Sequence, residues 1–352
     1  VFLLTFDHFL GYLAKPAFLS SYLGDFLTQF YYLNWGGATA ITGTLVIFWF
    51  TLSLLLKKIS KSDLHFLLPL IPVAFSWIAL CNPEFPVSNV ISLIISVIFT
   101  LIYISILSQK FRIIYGAVFV ILLYVFAGSS VYVFTITAVF FEIFKAGNPH
   151  NIATRILNAA ILIAVTIFIP LDLKDKYLLT TGQAFSYLSE MTKTPGFMQF
   201  YPGIILILTI LGVFLPYRNN TIRVNSLLLR SSQIAGLVII IYFGIKLTAD
   251  FKLEKILHLD FEATNGQWYK VYDLSRKFSI HNNVSAYYTN MALSKLGLMP
   301  EELMEYYQPA SRGLFIPVNM NQNYMTITFG NEVYWQLGDI NASQHSALLG
   351  II

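Results

Sequence analysis

Between Gly37 and Leu247 the chain passes through eight apolar stretches, and this repetition constrains its fold more than any other feature. Crossing the hydrocarbon core of a bilayer takes about 20 mainly apolar residues in a helix. The stretches run over 37–56, 64–80, 90–107, 113–127, 131–144, 152–170, 199–215 and 234–247. Only Gly128, Ser129 and Ser130 separate the fourth from the fifth. Together they are too long for one crossing, so two short helices joined by a tight turn are expected, with one broken helix as the alternative.

Composition points the same way. Hydrophobic residues make up 56% of the 352 and charged residues 11%, where a soluble domain carries about 25% charged. With 30 Phe and 21 Tyr, the apolar surface exceeds what one water-soluble core of this size buries. The net charge of +4 does not call for nucleic acid, because basic residues of membrane proteins collect in cytoplasmic loops. A single cysteine, Cys81, excludes an internal disulfide and a Cys-based metal site. The sequence opens on Val1 and stops within an apolar run at 348–352, so residues missing from both ends are expected.

Loop charge sets an orientation. Lys57, Lys58 and Lys61 follow the first stretch, and Lys110 and Arg112 the third. Lys145 and Arg155 flank the gap after the fifth, and Arg218, Arg223 and Arg230 follow the seventh. The loops at 82–89 and 128–130 carry no Lys or Arg. Odd loops are therefore expected on the cytoplasmic side. Even loops, the N-terminal segment and the C-terminal region then face outward, which at a bacterial inner membrane means the periplasm. Residues 1–5 read as the remnant of an earlier span, and 6–35 as a first external loop. Within that loop Phe9, Leu10, Tyr12 and Leu13, and then Phe26, Leu27, Phe30 and Tyr31, form apolar stripes broken at Lys15-Pro16. Two short amphipathic helices lying in the bilayer interface are expected.

After Leu247 charged and amide residues return. Asn265-Gly266-Gln267-Trp268-Tyr269 reads as a turn entering a helix that carries Val271, Leu274 and Phe278. Tyr287, Tyr288, Ala292, Leu293 and Gly297 repeat the theme, and 31 residues separate Gly266 from Gly297. That step is close to the 34 of a tetratricopeptide repeat. A third unit is read at 333–338, with Ala342 and Ala347 at packing positions after an insertion around 309–325. The expected fold class is all-α: a polytopic transmembrane bundle (1–35 interfacial, 36–249 spanning) followed at 250–352 by a soluble tetratricopeptide-like α-solenoid. Such arrays offer a concave face to partners, and Trp268, Tyr287 and Tyr288 are the aromatic candidates for holding a protein.

Walker-type, HExxH and GxSxG signatures are absent from the sequence, and its six His are scattered. The acidic residues carry more information, because membranes make them costly. Asp7 and Asp25 stand near the ends of interfacial segments; each reads either as an anchor of its own helix or as a general base at the mouth of an external cavity. Glu142 lies near the cytoplasmic end of its stretch, with Lys145 or Arg155 as the expected partner. The external loop at 172–196 offers Lys174, Lys176 and Lys193 as contacts for a lipid-linked phosphate, or merely as groups that solvate it.

The layout resembles the GT-C superfamily of polyprenyl-phosphate-dependent glycosyltransferases. Those proteins have many spans, a first external loop with interfacial helices and an acidic catalytic residue, and often an external C-terminal domain. The resemblance implies a polyprenyl-phosphate-linked donor and places the acidic residue at Asp7; where the motif has a second acid, this chain has His8. The stretch 22–35 and the repeat-like tail also resemble an uncharacterised family of bacterial membrane proteins with a domain of unknown function. Three functions stay open: a transferase with Asp7 or Asp25 as base, a non-catalytic envelope scaffold that recruits proteins, and a transporter or flippase. An inverted repeat, which would favour transport, is not evident.

Overall fold

A computed structural model describes residues 2–33, 35–60, 67–82, 85–145, 152–188, 196–214, 226–278, 281–310 and 324–351. Among them no strand occurs. The chain divides into two compact units, Val1–Ala249 and Asp250–Ile352.

The first unit begins with two short helices, α1 (Phe6–Leu13) and α2 (Phe18–Thr28), and a 3₁₀ turn at Gln29–Tyr32. The bundle follows: α3 (Gly36–Ser60), α4 (Leu70–Leu80), α5 (Val87–Ser105), α6 (Gln109–Ala127), α7 (Val131–Phe144) and α8 (Ile152–Leu173). A short α9 (Thr181–Ser186) precedes α10 (Gly196–Phe214) and α11 (Ser226–Thr248). Four helical stretches, Gly36–Ser60, Val87–Ser105, Phe111–Phe144 and Ile152–Leu173, are long and apolar enough to cross a membrane, with a fifth when the helix pair starting at Gln233 is counted as one span. The protein is thus a multi-pass integral membrane protein. The second expected span is only partly described, since 61–66 lie outside the described residues. Its described helix, α4, has 11 residues, or about 16 Å of helix, short of the roughly 30 Å hydrocarbon core.

The stretch Phe111–Phe144 is not one rod. Arg112 and Glu142 stand 30 residues apart, about 45 Å along a straight helix. Yet Arg112 Nε lies 3.4 Å from Glu142 Oε1. The chain therefore folds back at the Gly128–Ser130 turn, and α6 and α7 are antiparallel. Gly128 has φ +60°, and a Cβ there would come within 3.0 Å of both the Ala17 Cβ and the Tyr187 carbonyl oxygen. Only glycine meets both demands.

The core of the unit is apolar and continuous: Phe48, Leu52 and Leu55 of α3 meet Val90 and Val97 of α5, Leu123 and Tyr124 of α6, Phe134 of α7 and Leu206 of α10. Helix α5 is buried over most of its surface, whereas α3 and α8 leave Val46, Phe50, Ile163 and Phe168 exposed, as lipid-facing helices do. Buried hydroxyls tie the helices together. Ser96 Oγ donates to the Ser130 carbonyl at 2.9 Å, Ser130 Oγ reaches the Ser92 carbonyl, and Thr135 and Thr166 are joined at 2.7 Å. Such bonds contribute about 0.6 kcal/mol each in membranes.

Basic residues gather at one end of this bundle. Lys58 Nζ donates to Ser105 Oγ, and Lys145 Nζ to the Ile59 carbonyl. Arg155 donates to the carbonyls of Glu142, at 2.6 Å, and Ile143. These are C-terminal carbonyls of α3 and α7, which have no partner within their own helices and carry the negative end of the helix dipole. Arg218 and Arg223 fall outside the described residues.

The second unit holds α12 (Phe251–Thr264), α13 (Trp268–Lys277), α14 (Asn283–Leu296), a four-residue α15 (Met299–Glu302), α16 (Tyr324–Leu337) and α17 (Ile340–Ile351). Asp250 caps α12 by accepting from the backbone N–H of Lys252 and Leu253, both at 3.0 Å. Gly266, Gly297 and Gly338 follow α12, α14 and α16, all at positive φ. Helix α14 packs against α12, α13 and α16 around Leu259, Val271, Tyr288, Ala292 and Val333. Asn290 and Gln308 exchange two amide hydrogen bonds, at 2.8 and 2.9 Å, and so strap the segment after α15 onto α14.

Candidate functional site

The end of the bundle opposite the basic one carries α1 and α2. Lys15-Pro16 breaks the helical run, and Ala17 turns the chain in the left-handed region, with φ 56°. Ala17 is fully buried against Tyr187 and Leu188, and its N–H donates to the Tyr124 carbonyl at 3.3 Å. Helix α2 then lies close on the start of α5. A Cβ on Gly24 would stand 2.7 Å from the Ser88 Cβ, so glycine sets this approach. Asp25, the next residue, is exposed, and its Oδ2 accepts from Tyr12 Oη of α1 at 2.6 Å. Rings fill the rest of the contact, with Phe2, Phe9 and Tyr12 each edge-on to Tyr22 at 4.9, 5.3 and 5.4 Å.

A cleft of about 610 Å³ opens here, within the 300–1,000 Å³ usual for small-ligand sites. Phe2, His8, Tyr12, Asp25, Thr28, Gln29 and Tyr32 line it. Burial, and then the hydrogen bond to Asp25, pushes the Tyr12 phenol above its ordinary pKa, so it stays protonated as the donor. Chemically the site offers a carboxylate with one oxygen held and the other available, beside an imidazole and an amide.

Asp7 does not line the cleft. It sits exposed in the first turn of α1, where Thr5 is the N-cap and accepts from the His8 backbone N–H at 3.4 Å. A carboxylate there stabilises the positive end of the helix dipole. Lys174 and Lys176 follow α8, and neither lines the cleft; Lys193 lies outside the described residues. Their segment is pinned to the bundle: Thr180 and Gln183 form a capping box at the start of α9. Tyr124 Oη and Tyr132 Oη donate to the carbonyls of Ala184 and Phe185, at 2.8 and 2.9 Å. Burial pushes the Tyr187 phenol up to about 12.

In the second unit Trp268 is half-buried against the core. Tyr287 and Tyr288 are buried, so the expectation that they face a partner is corrected: their rings pack the unit's interior. Tyr288 Oη donates to Asp260 Oδ1. Burial, and then Glu332, raises the Asp260 pKa, and the Tyr288 hydrogen bond offsets part of this.

Sequence reasoning missed the polar cluster at the basic end. Glu142 is 0% exposed, and its side-chain partners are Arg112 and Tyr103, whose Oη donates to Oε1 at 3.0 Å. The neighbouring Arg155 instead holds backbone carbonyls. A signal was present: Arg112 is 16 residues before Gly128 and Glu142 is 12 after Ser130, which brings them nearly level in a hairpin. Among the described residues no group of three His, Cys, Asp or Glu is placed to hold a metal.

No curated protein and no solved structure matches this chain. A family model does match it, over residues 1–352, and its description is a family of unknown function, DUF6057. The chain belongs to that family.

Proposed function

We propose that this membrane protein is a GT-C-like transferase that moves a sugar from a polyprenyl-phosphate donor to an acceptor at the periplasmic face of a bacterial inner membrane, with Asp25 as the base. The observation that carries the reading is the cleft over α1 and α2, which brings Asp25 together with His8, Tyr12 and Gln29 at the end of the bundle opposite Lys58, Arg112, Lys145 and Arg155. By the positive-inside rule that end faces outward. In the transfer, the acceptor oxygen bonds to the anomeric carbon as that carbon's bond to the phosphate oxygen breaks. The electron pair leaves with polyprenyl phosphate, and the acceptor proton passes to Asp25 and on to water. Lys174 and Lys176, in the segment after α8, are the cations assigned to the donor phosphate in this reading.

The test is transfer of a radiolabelled sugar from polyprenyl phosphate by the full chain in nanodiscs. Asp25→Asn is expected to lower the initial rate by about 10²-fold or more, while Asp7→Asn stays within about threefold. A wild-type rate in Asp25→Asn overturns the assignment.

A second reading rests on the other unit. Its helix pairs turn at Gly266, Gly297 and Gly338, the pattern of a tetratricopeptide-like array, and Tyr269 and Trp335 are exposed. A scaffold of that kind retains a stoichiometric protein partner on purification, and loses it when Tyr269 and Trp335 are replaced by alanine. Preparations free of any such partner count against it.

A further inference from the structure

The charges around the cleft select what it holds. Among the described residues, Asp25 supplies its only acidic side chain, and no Lys or Arg lines it. Lys174 and Lys176 belong to the segment after α8, outside the lining. A phosphate or carboxylate brought into the cleft therefore meets a like charge, with no Lys or Arg among the described lining residues to offset it.

The remaining surface suits a different ligand. Tyr12 occupies Asp25 Oδ2, which leaves Oδ1 to accept from an incoming hydroxyl. Thr28 Oγ1 spends its proton on the Asp25 carbonyl, at 2.9 Å, and keeps lone pairs for a second one. The Gln29 amide both donates and accepts. Tyr32, 73% exposed, and Phe2 also line the cleft, and an aromatic face attracts the polarised C–H face of a sugar ring. Hydroxyl acceptors, one amide, the His8 imidazole and ring faces, with no Lys or Arg among the described lining residues, are the chemistry that recognises a neutral polyol ring.

We propose that the cleft takes a neutral hexopyranose and rejects sugars bearing a phosphate or carboxylate. This rests on the transferase reading for the role of that sugar as acceptor; the donor's phosphate is then bound outside the cleft.

Saturation-transfer NMR on the full chain in nanodiscs tests this with methyl β-glucoside, methyl β-glucuronide and glucose 6-phosphate as probes. The glucoside is expected to bind about tenfold more tightly than either anion at low salt, with the gap narrowing as salt rises. Asp25→Asn is expected to close most of the gap, and Tyr32→Ala to weaken the glucoside. Equal or tighter binding of the anions, a gap that survives in Asp25→Asn, or no binding of any probe overturns the proposal. Selective glucoside binding without transfer from any polyprenyl donor overturns the transferase reading and leaves the selectivity standing.

Discussion

Arg112 Nε stands 3.4 Å from Glu142 Oε1, with both side chains buried at the ends of α6 and α7. The pair closes the open end of a hairpin whose other end is the Gly128–Ser130 turn. Tyr103 ties in α5 through Glu142, and the Arg112 guanidinium lies 5.5 Å from the centre of the Phe141 ring. Breaking a buried pair costs about 3–5 kcal/mol, because it strands the remaining charge, whereas replacing both partners is often neutral. Arg112→Met is expected to lower the thermal midpoint in detergent micelles sharply, and Arg112→Met with Glu142→Gln to recover most of the loss. Equal midpoints for Arg112→Met and wild type show that the pair does not hold the hairpin.

Gly128→Ala tests the turn itself. The Gly128 backbone, at φ 60° and ψ −133°, lies in a region that only glycine occupies readily, and holding a residue with a Cβ in such a conformation costs on the order of 1–3 kcal/mol. The added atom also meets the Ala17 Cβ and the Tyr187 carbonyl at 3.0 Å. The variant is expected to lose more stability than Gly212→Ala, where a Cβ meets nothing within 4 Å. Thermal unfolding of the two side by side separates local strain from a general effect of alanine.

These two sites show what the sequence made legible. The Gly-Ser-Ser break between apolar runs and the Lys15-Pro16 break between aromatic stripes are local signals, and helices end at both. The partner of Glu142 was not local. Lys145 and Arg155 are nearer in sequence, but they serve the carbonyl ends of α3 and α7. Periodicity also failed to separate a ring that packs inward from one that meets a partner, as at Tyr287 and Tyr288, because both sit at the same helical spacing. The Tyr12–Asp25 contact depends on the elbow at Ala17, a non-glycine residue in a left-handed conformation, and composition gives no warning of that.

Asp260 makes the second unit sensitive to acid in an unusual direction. Its pKa is raised in the fold, chiefly by burial, so the folded state binds the proton more tightly than the unfolded chain. The stabilisation is fully present below the ordinary value of 3.8 and is lost as pH rises through the folded pKa. Chemical denaturation of the full chain, followed by near-ultraviolet circular dichroism from about pH 3 to 7, is expected to show this as a difference between wild type and Asp260→Asn. Parallel pH profiles for the two proteins remove Asp260 as the cause.

Orientation in the membrane is the premise on which the periplasmic assignment of the cleft stands, and two exposed leucines test it. Leu107 is 97% exposed and follows α5, at the end where Lys58 bonds Ser105. Leu178 is 92% exposed and follows α8, which starts at the basic end and finishes at the other. With Cys81 replaced by serine, each is changed to cysteine in turn. Because basic residues are retained on the cytoplasmic side, a membrane-impermeant maleimide is expected to label Leu178→Cys in intact spheroplasts. Leu107→Cys should label only after the membrane is permeabilised. The reverse pattern would put Asp25 on the cytoplasmic face and remove the periplasmic transferase reading, whatever the cleft binds.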